Sequence, residues 1–127
     1  MPQDSLYNLI EYTGGDCYTM VDGLSGNSYG VDILPPDSPE WFIWLASLGS
    51  FDFKGKAGHF MARHEEKKRD NAPAYFNWFA YRKADGRLHK LYIGRTNDLT
   101  MGTLEEIAGN LQTAVLDGMP KDAVLSE

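Results

Sequence analysis

The spacing of apolar positions changes twice along this chain. From residue 5 to 33 it is short-range. Leu6, Ile10 and Tyr12 share one parity, Tyr7 and Leu9 the other, and Gly14-Gly15-Asp16 separates them from a run at Cys17 to Val21. Runs of this length bounded by glycine predict short antiparallel strands. Gly23 to Asn27 breaks the chain, and Ser28 to Ile33 predicts a third strand. Pro35-Pro36 then stops the ladder, because proline brings no amide donor. The period next lengthens to that of a helix, with Trp41, Trp44, Leu45 and Leu48 on one stripe. Asp37 serves as the expected N-cap, Pro39 sits in the first turn, Glu40 completes a capping box, and Gly49 ends the helix.

The short period returns at Phe51 to Phe53 and His59 to His64, interrupted at Lys54-Gly55-Lys56. Residues 65–72 read as a charged loop closed by Pro73. Tyr75 to Lys83 and Leu88 to Arg95 predict a hairpin reversing at Asp85-Gly86. Thr100 caps a last helix running to about Asp117, with Leu104, Ile107, Ala108, Leu111 and Val115 on one side and Gly118 and Pro120 beyond. The expected fold is α+β: short antiparallel strands, a helix, a three-stranded antiparallel sheet and a C-terminal helix. Residues 1–118 form one domain, and 119–127 a flexible acidic tail.

Alternation divides the hairpin into two faces. Asn77, Phe79 and Tyr81, with Leu91 and Ile93, match the apolar stripe of the last helix and predict the core. Trp78, Ala80 and Arg82, with Leu88, Lys90 and Tyr92, mix aromatic and basic groups, as a nucleic-acid-reading surface does. If the first helix packs on that second face through Trp41 and Trp44, it is buried instead, and Arg82 and Lys90 reach only to its rim.

Charge sharpens this reading. The net charge is −6 over 127 residues, yet residues 52–95 hold eleven Lys and Arg against five Asp and Glu. A basic middle between acidic flanks can steer an anionic partner to one face despite an acidic total. Other chemistry is sparse. Cys17 is the only cysteine, so neither an internal disulfide nor a cysteine zinc site forms within one chain, and it reads as a small buried filler. His59 and His64 are five apart on one expected strand and so point to opposite faces. No glycine loop with Lys and Ser/Thr cradles a phosphate, and the adjacent pairs Glu65-Glu66 and Glu105-Glu106 diverge. We expect no enzymatic activity, no metal and no cofactor. No apolar run reaches bilayer length and no signal pattern opens the chain, so the expected setting is cytoplasmic, without a membrane partner.

The segments NWFAYRK, KLYIGR and LTMGTLEEIA resemble an N-terminal segment of some large bacterial LuxR-type regulators, as does the upstream WFIWLASLGSFDFKGKAGHFMARHEE. The resemblance spans about residues 17–111. The order of hairpin then helix is also similar to the arm-type DNA-binding domain of tyrosine integrases, where a three-stranded sheet enters the major groove. The nucleotide-binding, helix-turn-helix and catalytic domains of those families have no counterpart in this chain.

The expectation is therefore a small nucleic-acid-binding module, for duplex DNA, of a regulatory or mobile-element kind. Lys54, Lys56, Arg63, Lys67, Lys68 and Arg69 would hold the backbone. Arg82, Arg87, Lys90 and Arg95 would reach phosphates or base edges, and Trp78 and Tyr92 would add apolar contact. The alternative is a protein-interaction module. Its Trp41/Trp44 helix would meet a partner or a second copy, or its acidic surface would block a host factor as some phage and mobile-element proteins do.

Overall fold

The computed structural model describes residues 7–67, 70–71, 75–84 and 86–117. Lys68, Arg69, Asp85 and the expected tail at 119–127 lie outside the described residues. Among these residues seven strands and two α-helices follow one another as β1 (Leu9–Gly14), β2 (Cys17–Val21), β3 (Ser28–Gly30), α1 (Pro39–Ala46), β4 (Ser50–Lys54), β5 (His59–Lys67), β6 (Tyr75–Ala84), β7 (Arg87–Gly94) and α2 (Met101–Asp117), with a short 3-10 helix at Thr96–Asp98 before α2. The α+β class is as expected. No helix among the described residues is long and apolar enough to cross a membrane.

The three-stranded sheet is a correction. All seven strands join one mixed sheet in the order β3-β2-β1-β4-β5-β6-β7. The join is the parallel pair β1–β4, Leu9 beside Asp52 and Ile10 beside Phe53. Parallel strands need a crossover connection, and here β2, β3 and α1 lie between them in sequence. The other pairings are antiparallel. Residues 65–67, expected in a loop, continue β5 and pair with Asn77, Phe76 and Tyr75.

One face of the sheet is covered. Ile10, Tyr18, Met20, Phe51, Phe53, Phe60, Ala62, Trp78 and Ala80 share that face and form one buried cluster with Trp41, Trp44, Leu45 and Leu48 of the α1 segment and Leu104, Ala108 and Leu111 of α2. The stripe of α2 is as expected, with Thr100 Oγ1 accepting from the Thr103 amide at 3.2 Å as an N-cap does. The first helix departs in detail. Ser38 is its N-cap, its Oγ accepting from the Trp41 amide at 3.2 Å. Asp37 instead adopts a positive φ of 68° and accepts from the Met101 amide of α2 at 2.8 Å. Cys17, expected to be buried, is exposed at the start of β2.

Candidate nucleic-acid interface

Among the described residues no helix covers the opposite face of the sheet, and it carries the basic and aromatic residues together. Backbone register sets them in rows. Asp52 of β4, Met61 of β5, Tyr81 of β6 and Lys90 of β7 stand side by side; Ser50, Arg63, Phe79 and Tyr92 form the next row. Lys54 pairs with His59 at one end, and Lys83 pairs with Leu88. A shallow depression of about 220 Å³ brings Asp52, Lys54, His59, Met61, Tyr81 and Lys83 together. Tyr92 (58 %), Leu88 (63 %) and Met61 (44 %) are exposed.

The hairpin's two faces differ from the expectation in one strand. On β7, Leu91 and Ile93 face the core while Leu88, Lys90 and Tyr92 face outward, as expected. On β6 the faces are exchanged. Trp78, Ala80 and Arg82 turn to the covered side, and Phe79 and Tyr81 to the open one. The cause is the reversal itself. Ala84 pairs with Arg87, with two residues between them in sequence, so each odd residue of β6 from Lys83 to Phe79 stands opposite an even residue of β7. Placing Phe79 and Tyr81 with Leu91 and Ile93 requires an odd loop, and a one-residue slip moves a whole strand's side chains to the other face.

Trp78 is therefore no contact residue. It is fully buried, donates its indole N–H to Thr96 Oγ1 at 2.9 Å and lies against Phe51 and His64. Arg82 is drawn to α2, where it donates to Gln112 at 2.6 Å. Trp41 and Trp44 are buried too. The Trp41 indole donates to the Leu99 carbonyl at 2.8 Å and that of Trp44 to Asp22 at 3.2 Å, so the partner-binding role expected of this helix face has no exposed surface to use.

The remaining expected residues divide in the same way. Lys54, Arg63, Lys90 and Tyr92 lie on the open face. Arg87 is exposed at the hairpin tip, and Arg95 is exposed where β7 ends. Lys56 falls in the β4–β5 turn, with its ammonium 5.6 Å from the centre of the Tyr12 ring. Its amide and that of Ala57 donate to the Glu105 carboxylate at 2.8 and 2.9 Å, and the Tyr18 hydroxyl donates to the same group at 2.5 Å. Burial pushes the Glu105 carboxyl up, but these donors and the Lys56 charge together hold it below the usual range. Burial and Glu105 also push the Tyr18 phenol up. This cluster ties the turn to α2 and lies on the covered side, away from the open face. Of Lys67 only the backbone, paired with Tyr75, is described.

Four residues outside the expected site complete the face: Phe79 and Tyr81, expected in the core, and Lys83 and Glu65. The Lys90 ammonium sits 4.4 Å from the Phe79 ring centre and 5.3 Å from that of Tyr81, and 3.6 Å from a Glu65 carboxylate oxygen. The Arg63 guanidinium lies 6.0 Å from the Tyr81 ring on the same face. The Tyr81 hydroxyl donates to Glu65, and that of Tyr92 to Asn77 at 3.3 Å. Tyr81 first, and Glu65 beside it, hold the Lys90 ammonium above its ordinary pKa. His59 is shifted the other way, by burial and then by Arg82 and Lys54, and favours the neutral imidazole. Among the described residues no group of three or more His, Cys, Asp or Glu is placed to hold a metal ion.

The chain matches no family model, no curated protein and no solved structure.

Proposed function

We propose that the chain binds nucleic acid, and duplex DNA in particular, through the open face of β4–β7. One observation carries the reading. A sheet face that no described helix covers presents Lys54, Arg63, Lys83 and Lys90 among Phe79, Tyr81 and Tyr92. Cations on such a face neutralise phosphates, and side chains projecting from a strand ribbon reach base edges in a major groove. The sequence of β5, β6 and β7 followed by α2 also has the strand-then-helix order on which the likeness to arm-type integrase domains rests.

Duplex is favoured over single strands by what lies on the rings. Lys90 occupies space over Phe79 and Tyr81, and Arg63 over Tyr81. Base stacking needs those ring faces clear. Groove contact uses cations, edges and exposed side-chain ends, which is what the face offers.

The test is fluorescence anisotropy with a labelled random-sequence duplex of about 30 base pairs and a single strand of equal length, at about 50 and 200 mM salt. The duplex is expected to bind at the lower salt, weaken at the higher, and outcompete the single strand. No binding of either at low salt defeats the proposal, and preference for the single strand defeats its duplex part.

A further inference from the structure

An acid, Glu65, stands among the cations of the open face. Glu65 belongs to β5, directly opposite Asn77. Its side chain is a quarter exposed, whereas that of its partner Lys90 is nearly half exposed. The carboxylate accepts from Tyr81 and pairs with Lys90, so the lysine lies over Phe79 and Tyr81 instead of extending into solvent. A lysine serving a phosphate works as a mobile point charge on a long stem. Lys90 is restrained from that role on three sides: by the carboxylate and by two ring faces.

A phosphate approaching this point meets two obstacles. It must take Lys90 from Glu65, and it must come close to the carboxylate's own charge. We infer that Glu65 is a latch on Lys90, holding the cation of the edge strand β7 in an intramolecular ion pair that a nucleic-acid phosphate has to break. The device lowers the sequence-independent, backbone-driven share of affinity. It leaves Lys54, Lys83 and Arg87 untouched. The inference rests on the nucleic-acid reading above and assigns the regulation of that same surface.

The experiment compares four full-length proteins: wild type, Glu65→Gln, Lys90→Met and the double variant. Glutamine keeps an oxygen to accept from Tyr81 while releasing the ammonium. Each is titrated against the random duplex across a salt series, and thermal unfolding verifies that each is folded. Glu65→Gln is expected to bind about two- to fivefold tighter at low salt, the scale of one exposed ion pair. Its log–log salt slope should steepen by about 0.9, one further phosphate contact. The gain must vanish in the Lys90→Met background, because the latch acts only through Lys90. Unchanged affinity and slope in Glu65→Gln overturn the inference. So does a gain that persists without Lys90, which reports general charge removal, and so does weaker binding, which makes Glu65 a contact residue. Absence of binding by all four proteins at low salt is a different result: it defeats the nucleic-acid reading itself and removes the latch with it.

Discussion

Asp37 caps a helix to which it does not belong. Its carboxylate oxygen accepts from the Met101 amide at 2.8 Å, across 64 residues of sequence, and thereby joins the segment before α1 to the first turn of α2. Two physical effects meet there. A free helix N-terminus carries unsatisfied amide donors and a partial positive charge, and a carboxylate answers both. Holding it in place requires φ of 68° at Asp37, a conformation that Asp and Asn tolerate better than most residues. Asp37→Ala should cost about 1–2 kcal/mol by losing the cap and keeping the strain. Asp37→Asn should cost less, since it accepts the same bond and tolerates the same φ. Urea unfolding that ranks Asn at or below Ala would show that the contact to Met101 contributes nothing.

His64 and Trp78 are stacked, with ring centres 4.5 Å apart and planes within 4°. Burial there pushes the His64 imidazole pKa below its ordinary value, and His59 is lowered as well. A histidine whose folded pKa is depressed is protonated first in the unfolded chain. As pH falls below about 6.5, the unfolded state therefore binds more protons and stability declines, until the folded pKa is passed and the loss levels off. Unfolding free energy should thus be lower at pH 5.5 than at pH 7.5. His64→Phe keeps an aromatic ring against Trp78 and removes one titrating group, so the pH difference should shrink. An identical difference in wild type and variant rules out this role for His64.

The exchange of faces on β6 predicts an order of mutational costs. Leu111 is buried to within 1 % in the cluster between α2 and the sheet, and Leu111→Ala should cost about 2–5 kcal/mol. Phe79 lies on the open face, with Tyr92 edge-on to its ring at 5.5 Å. Phe79→Ala removes a larger side chain but opens no cavity in the core, so it should cost less than Leu111→Ala. If denaturant midpoints give Phe79→Ala the larger loss, Phe79 belongs to the core face after all.

How much of this was legible follows from how local each feature is. The strands flanking Gly14-Gly15, the aromatic hairpin and the Thr100-capped helix are set by turn residues, alternation and capping within a few positions, and the sequence shows all of them. The pairing of Ala84 with Arg87 also carries the register of β6 on β7, because two intervening residues dictate parity, a constraint that the alternation of each strand taken alone does not contain. The parallel pairing of β1 with β4 has no local signature, since its two strands are joined only through β2, β3 and α1. The same holds for Asp37, whose sequence neighbours suit it as a cap for α1 while its hydrogen bond goes to α2. Burial of Trp41, Trp44 and Trp78 depends on which sheet face the helices cover, a tertiary fact. With Trp78 inside, Lys83, Tyr81 and Phe79 stand on the basic face in its place.

The open face makes the sharpest demand on solution behaviour. Each phosphate neutralised by a lysine or arginine releases condensed counterions, and log affinity for duplex DNA falls against log salt by about 0.9 per contact. About five contacts give a slope near −4 to −5. Lys54 and Lys83 are exposed on the face and Arg87 stands at the hairpin tip, so replacing any one by Ala should flatten the slope by about 0.9. Arg82 provides the contrast within the same strand. It turns to the covered side and donates to Gln112, so Arg82→Ala should leave the slope where it was, whatever it does to stability. These two neighbours, Arg82 and Lys83, carry the same charge and differ only in the side of the sheet they occupy. A slope that responds equally to both would mean that bulk charge, and not the open face, governs binding.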